Sequence, residues 1–279
     1  MKSSKKYKFG FVMILAMLCV ITLCVPVASA EEAVEIYYGA KNDVVPYSIY
    51  DETLNYTRKE VLIDTKISMG TPQYFDLKAS LPNGCAAIAG CVIVGYYDKE
   101  FEDLMPDYES TGKRGEHIIY KPMNSAVVPY MQDLFGRMNV NMIQPGATEN
   151  DFKNGLRSYV VDHGYNVNYT SYGNSYVVDY EGISQSLQNG IPLALFFDMK
   201  FLIYNLDIGE TQLKLGTQPY NASHIAIIYG IKRVRYYNND SVIRTDTYLS
   251  VSSGLMTPTL GHILVERTVV DDIVGVKVY

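Results

Sequence analysis

The sequence contains no tryptophan and only four cysteines, which narrows the chemistry that it can support. Two of the cysteines fall within the first thirty residues, so the rest of the chain carries only Cys85 and Cys91. No group of His, Cys and carboxylate residues has metal-ligand spacing, and neither a phosphate-binding glycine loop nor a Gly-x-Ser-x-Gly motif occurs. These absences argue against zinc, nucleotide and serine-hydrolase chemistry of those kinds. We therefore expect a protein that needs no cofactor.

Long apolar runs and basic clusters are equally scarce after the first thirty residues. Residues 1–30 combine a basic start, an apolar stretch over 9–27 and the small residues of 28–30, the pattern of a cleaved secretory signal peptide. No later run approaches the roughly 20 apolar residues that span a bilayer. No basic cluster indicates nucleic acid, and the formal net charge is −6. The chain is thus expected to be secreted, extracellular or at the cell surface, with no stable membrane insertion once the signal is removed.

The remaining sequence divides into two parts. Residues 31–70 mix polar residues with short β-like runs and are interpreted as an N-terminal extension that wraps the domain or as a short propeptide. Residues 71–279 are interpreted as the main domain. Its helical patterns come first, near 85–97, 125–137, 150–162 and 183–188. Its β-rich runs come second, near 191–197, 225–229, 232–237, 242–251 and 263–268. Helices followed by an antiparallel sheet predict an α+β fold.

Cys85 directly follows the turn dipeptide Asn83-Gly84 and begins a run that is apolar on every side. This pattern predicts a buried helix with Cys85 in its first turn. Backbone N–H groups and the helix dipole at that end favour a thiolate, so we expect the pKa of the Cys85 thiol to be lowered. Cys91 is six residues further on, roughly 9 Å along the helix axis. That separation is too large for a disulfide, which leaves both thiols unoxidised and the fold dependent on its hydrophobic core.

A thiolate nucleophile needs an imidazole as base and later as acid. Of the four histidines, His117, His163 and His262 stand in loop or terminal contexts that fit exposed or structural roles. His224 instead heads a strongly apolar strand, where a rigid sheet can hold the ring at a cleft. The sequence therefore predicts a Cys85–His224 pair.

Two sequence blocks resemble a known family. The first comprises residues 83–89 (NGCAAIA) and 95–98 (GYYD), and the second comprises 190–195 (GIPLAL) and 223–230 (SHIAIIYG). They are similar to the cysteine and histidine motifs of the double-glycine leader (bacteriocin-processing) peptidase-like families of the papain-like superfamily. The separation of the two residues, about 140 positions, agrees with the papain-like range. The resemblance implies a papain-like fold, in which a central N-terminal helix carries the cysteine and a following antiparallel sheet carries the histidine.

The same resemblance implies roles for individual residues. Cys85 would be the nucleophile and His224 the general base and acid. Gln73 occupies the position of the family's oxyanion-hole glutamine, although a plain surface role is an equal alternative. Ser252 stands where the family places an Asn or Asp that orients the imidazole, and Asp246 is a charged alternative. Because a serine carries no charge, this departure leaves full activity open.

The expected function is that of a secreted cysteine peptidase acting on a peptide or protein substrate. An isopeptidase, amidase or transpeptidase with the same pair is a second possibility. A catalytically inactive papain-like scaffold that binds partners is a third, favoured by Ser252 and by clusters among the 25 tyrosines. Loops at Ala40 to Tyr56, Glu109 to Glu116 and Asp198 to Ala222 are expected to form the substrate cleft.

Overall fold

The computed structural model describes Tyr38 and residues 48–76, 81–140, 146–197 and 201–279. The expected signal peptide lies outside these residues, as does most of the first half of the 31–70 segment. Among the described residues, no helix is both long and apolar enough to cross a membrane.

Four α-helices form the helical part of the described chain. They are α1 (Cys85–Tyr97), α2 (Val128–Arg137), α3 (Glu149–Asp162) and α4 (Tyr180–Gln188). Short 3-10 turns lie at Glu102–Leu104, Ser125–Val127 and Val265–Arg267. The helices occur close to where the sequence predicts them. In α3, Thr148 and Asp151 form the expected capping box, and Gly164 follows the helix with a positive φ of 87°.

Twelve strands make up the rest of the described fold. They are β1 (Ser48–Asn55), β2 (Arg58–Lys66), β3 (Thr111–Arg114), β4 (His117–Tyr120), β5 (Val167–Asn174), β6 (Leu193–Phe197), β7 (Phe201–Ile208), β8 (Gln212–Tyr220), β9 (His224–Asn238), β10 (Ser241–Ser252), β11 (Leu260–Leu264) and β12 (Val270–Val278). Ten of them form one sheet in the order β1-β8-β7-β11-β10-β9-β6-β12-β5, with β2 paired to β9, while β3 and β4 form a separate hairpin. Every pairing between these strands is antiparallel. The expected mixture of helices and a mostly antiparallel sheet is confirmed.

Strand β9 is the centre of the sheet because its 15 residues serve three neighbours. Its first part pairs with β6 and its later part with β2, both on one edge, while β10 pairs along the other edge. The sequence predicts two strands interrupted at Gly230. The chain instead continues through this glycine, with a register shift opposite it in β10.

Helix α1 is enclosed by the rest of the fold. All of its residues are buried, and it packs against β9, α2 and α3. This agrees with its apolar character on every side, which leaves no face for solvent. The main hydrophobic core is built around this helix. A second core of eight buried residues, four of them tyrosines, consists of seven residues of strands β7 to β11 and of Tyr56 between β1 and β2.

The structure corrects the expected substrate loops. Residues 198–222 include the β7–β8 hairpin, residues 40–56 include β1, and residues 109–116 include β3. In the hairpin, β7 begins with an apolar, β-favouring run over residues 201–204 and continues with alternating polar and apolar residues over 205–208, the period of a strand. Strand β2 lies inside the 31–70 segment and pairs with β9 in the main sheet. Whether that segment is an extension or a propeptide stays a prediction.

Candidate active site

Cys85 is fixed at the start of α1 by a tight turn. The Leu81 N–H donates to Asp76 Oδ2 at 2.9 Å, and the Gly84 N–H donates to the Leu81 carbonyl at 2.9 Å. Asn83 adopts a positive φ of 60°. A Cβ added at Gly84 would lie 2.8 Å from the Leu81 carbonyl oxygen, so the close turn requires glycine. Cys85 follows as the first helical residue and is 1% exposed.

The first turn of α1 favours negative charge. No side chain caps the helix N-terminus, and the turn contains no acidic residue. The positive end of the helix dipole therefore acts at Cys85 without a competing carboxylate on the same turn. Such a setting stabilises a thiolate or a developing oxyanion.

Cys91 provides an internal contrast on the same helix. It lies in the middle of α1, is fully buried, and burial raises the pKa of its thiol well above the ordinary range. Neither of the two cysteines that the structure describes forms a disulfide, as expected. Cys91 is therefore a core residue, whereas Cys85 lies at the helix N-terminus, where the helix dipole favours a thiolate.

His224 is the first residue of β9 and its imidazole is held by the backbone. The ring Nε2–H donates to the Ser253 carbonyl at 2.6 Å, and the residue is 1% exposed. This bond sets the tautomer, so the lone pair of the neutral ring lies on Nδ1. Nδ1 is buried and has no hydrogen-bond partner among the described residues. It is thus the nitrogen left to accept a proton.

Aromatic rings enclose the imidazole. Phe201 stacks on it with centroids 5.1 Å apart and planes 14° apart, and Phe197 meets it edge-on at 5.6 Å. Tyr220 also stacks on Phe201, with centroids 5.1 Å apart. Burial lowers the pKa of His224 to about 4, so the ring is neutral at pH 7. The neutral ring can accept a proton, but burial among aromatic rings disfavours the imidazolium that would result.

The loop that holds His224 also packs against the start of α1. Gly254 follows Ser253 with a φ of +72°, and a Cβ added to it would lie 3.3 Å from Ile88 Cγ2. Ile88 is one helical turn after Cys85. The fold thus brings the Ser253 carbonyl, the His224 ring and the first turn of α1 to the same end of the helix–sheet core.

Neither residue expected to orient the imidazole does so. The Ser252 hydroxyl donates to the Pro72 carbonyl at 2.9 Å. Asp246 accepts from Arg244 and Tyr248 and lies six strand residues before Ser252, about 20 Å along β10. The Ser253 carbonyl takes the orienting role instead. Because every residue has a backbone carbonyl, no sequence pattern indicates this partner.

Gln73 lies in the segment that precedes the turn into α1. It is exposed and lines a surface cavity with His117 and Tyr120. The ring of its neighbour Tyr74 packs on Gly95, ten residues after the start of α1, or about 15 Å along the helix. The oxyanion role of Gln73 stays a prediction, and the backbone N–H groups of the first turn are better placed for it.

The other three histidines lie elsewhere. His117 is exposed, His163 caps the end of α3 and stacks on Tyr159, and His262 is mostly buried with its Nδ1 3.3 Å from Ser250 Oγ. None is part of the Cys85–His224 end of the core. No protein-family model matches this chain, and no curated protein matches its sequence.

Proposed function

We propose that this protein is an exported papain-like cysteine peptidase that uses Cys85 and His224. One observation supports this most strongly: one ring nitrogen of His224 is fixed by the Ser253 carbonyl while the other is buried without a partner. The loop that fixes the ring packs against the turn that Cys85 begins. A purely structural histidine in so apolar a setting would gain stability by satisfying both nitrogens.

The proposed reaction uses these two residues in turn. The Cys85 thiol transfers its proton to His224 Nδ1 as Sγ attacks the substrate carbonyl carbon, and N–H groups of the first turn of α1 stabilise the oxyanion. Collapse breaks the C–N bond, and the imidazolium returns the proton to the leaving amine. Water then attacks the thioester, gives a proton to Nδ1, and the C–S bond breaks to release the acid and the thiol. An isopeptidase, amidase or transpeptidase would use the same steps with another leaving group or acceptor.

The described conformation is closed. Cys85 and His224 are each 1% exposed, and Phe201 covers one face of the imidazole. Substrate access therefore requires Phe201 to leave the ring. Removing this stack would also rehydrate His224 and bring its pKa closer to the ordinary value, which favours the imidazolium that the reaction forms.

The enclosed imidazole also favours a second candidate, an inactive papain-like scaffold that binds partners. The ring has a pKa of about 4 and its orienting partner is a neutral carbonyl. A carboxylate would stabilise the imidazolium more strongly than a carbonyl. If the closed conformation never opens, the pair has no catalytic use.

A peptidyl vinyl sulfone separates the two functions, because its addition to sulfur requires an accessible, activated thiolate. The exported chain would be incubated with this reagent at pH 7.5, and the labelled cysteine would be identified by peptide mass spectrometry. We expect labelling at Cys85 and none at Cys91, which is the matched control on the same helix. The Cys85→Ala variant should lose the label and the Cys91→Ala variant should keep it.

If the folded protein remains unlabelled at Cys85, or labels both cysteines only as it unfolds, the peptidase proposal fails and the scaffold takes its place. Circular dichroism on the same samples shows whether each variant is folded.

A further inference from the structure

A second cavity lies beside the His224 stack and has no part in the chemistry above. It has a volume of about 490 Å³ and is formed by β7, β8, β9, β11 and the 257–261 segment. Ile203, Gln218, Tyr229, Pro258, Leu260 and His262 are among its lining residues. A site of this size is within the range that holds small ligands or a bulky side chain with adjoining backbone.

Strand register places this cavity next to the candidate active site. Phe201 pairs with Tyr220 across β7 and β8, and Phe201 stacks on both Tyr220 and His224. The next pair on the same face is Ile203 with Gln218, which lines the cavity. Residues two apart on a strand are about 6.6 Å apart. The cavity therefore begins one cross-strand pair from the aromatic stack.

The cavity wall is also connected to the residue that holds the imidazole. The Ser253 hydroxyl donates to the Pro258 carbonyl at 2.6 Å, and the Ser253 carbonyl accepts from His224. The Tyr220 hydroxyl donates to the Thr257 carbonyl. An occupant that contacts Pro258 and Thr257 would therefore act on both supports of His224.

The chemistry of the lining selects the occupant. No Asp, Glu, Lys or Arg is among the lining residues, so a charged group gains no partner there. Ile203, Pro258 and Leu260 supply apolar surface. Gln218 is 4% exposed, and its Oε1 is buried with no hydrogen-bond partner among the described residues. An acceptor in that state calls for a donor from a ligand.

Close backbone packing keeps the cavity open at β11. A Cβ added at Gly261 would lie 2.1 Å from Ile203 Cγ2, so any side chain there would collide with the wall. Glycine at this position lets β11 approach β7 while Ile203 remains on the cavity surface.

We propose that this cavity is a specificity site for an uncharged aromatic side chain that carries a hydrogen-bond donor, tyrosine or tryptophan, in the peptide substrate. That the ligand is part of a substrate rests on the proposed peptidase function. The aromatic body fills the apolar walls, and its O–H or N–H donates to Gln218 Oε1.

Binding can be measured without catalysis by using the folded Cys85→Ala protein. N-acetyl-tyrosinamide and N-acetyl-phenylalaninamide differ only in the hydroxyl group, and each would be titrated while the Ile203 and Leu260 methyl signals are followed by NMR. We expect the tyrosine amide to bind about 5-fold more tightly, the effect of about one hydrogen bond. N-acetyl-alaninamide and N-acetyl-aspartamide should not perturb these signals.

Two variants test the assigned contacts. Gln218→Leu should abolish the preference for tyrosine over phenylalanine while both still bind. Leu260→Trp should fill the cavity and prevent binding of both, whereas Met256→Trp, on the same segment but outside the lining, should bind like the parent. Equal binding of the tyrosine and phenylalanine amides, or unchanged binding by Leu260→Trp, overturns the proposal.

The kinetic test distinguishes this inference from the peptidase proposal. If the active protein cleaves peptides with no preference for Tyr or Trp, and Leu260→Trp leaves that pattern unchanged, the specificity site is refuted while the peptidase stands. If the tyrosine amide binds as expected but vinyl sulfone never labels Cys85, the cavity remains a ligand site and the peptidase proposal fails.

Discussion

Two buried polar centres of the same sheet are built in opposite ways. At the imidazole centre, His224 and the Ser253 carbonyl form one hydrogen bond, and the second ring nitrogen has no described partner. At the carboxylate centre, both oxygens of Asp246 are used: Arg244 Nε donates at 2.6 Å and the Tyr248 hydroxyl donates at 2.5 Å. Charge is thus neutralised at one centre and avoided at the other.

The carboxylate centre extends outward through paired charges. Glu52 accepts hydrogen bonds from both Arg244 and Arg267. The two guanidinium groups hold the pKa of Glu52 below its usual range, and Arg267 has the larger effect. A buried charge needs such partners, whereas a buried neutral imidazole can keep one nitrogen in reserve. This difference is consistent with the proposed function, in which the first centre would serve chemistry while the second serves the fold.

The largest expected effect comes from exchanging one residue at each centre. His224→Gln should lower the rate of vinyl sulfone labelling at Cys85 by about 1000-fold with little loss of stability at pH 7.5, because the base is removed. Asp246→Asn should reduce the free energy of unfolding by about 3 kcal/mol, because it breaks a buried ion pair, and leave labelling of the folded fraction unchanged. Urea unfolding and labelling kinetics measure the two quantities. A similar profile for both variants would remove the distinction between the centres.

Acid should act strongly on the imidazole centre. The pKa of His224 in the folded state is about 4, below its ordinary 6.5, so the unfolded chain binds the proton first as pH falls. Stability from this residue is complete above pH 6.5 and declines toward pH 4, by up to about 3 kcal/mol. His262, also lowered to about 4, adds a loss of the same sign, and Asp272, raised to about 6, opposes it.

The contribution of His224 to this pH dependence is obtained by subtracting the unfolding free energy of His224→Gln from that of the parent at each pH. Unfolding free energies of the parent and of His224→Gln should diverge by this amount between pH 4 and 6.5, with the parent losing more on acidification. Parallel curves would show that the imidazole is already hydrated in the folded state.

A smaller effect is expected from opening the aromatic stack. Phe201→Ala removes the ring that lies on the imidazole and should increase the rate of iodoacetamide alkylation at Cys85 about 10-fold at pH 7.5, because it exposes the site. Phe152→Ala is the control, since this buried ring packs on Phe196 rather than on His224. Both changes should destabilise the protein by roughly 3 kcal/mol. Equal alkylation rates would mean that Phe201 is not the barrier to access.

Helices were the most predictable part of the fold. The run from Cys85 is apolar on every side, which favours a helix buried on all sides, as the structure has it. The capping box at Thr148 marks the start of α3. The expectation of a substrate loop over Asp198 to Ala222 overlooks the β7–β8 hairpin, since alternation in β7 is confined to residues 205–208 and gives only a short strand signal. Phe201 from that hairpin stacks on His224, and Tyr220 stacks on Phe201.

The candidate site divides in the same manner. Cys85 and His224 have local sequence contexts, a turn before a helix and the head of an apolar strand, and the structure places them accordingly. The hydrogen-bond partner of His224 has no such sequence context, because the loop conformation, not the residue type, positions the Ser253 carbonyl. The expectation for Gln73 rests only on its place before the cysteine, and the structure finds it exposed, lining a surface cavity with His117.

The length of β9 has a consequence for hydrogen exchange. From residue 227 to its end the strand has hydrogen-bonded neighbours on both edges, so its amides exchange only when the whole sheet opens. His224 lies three residues before this doubly paired part on the same strand and is paired on one edge with Phe197 of β6. Under the proposed function, admission of a peptide would depend on the β7–β8 hairpin, and deuterium uptake should begin in that hairpin while β9 is still fully protonated.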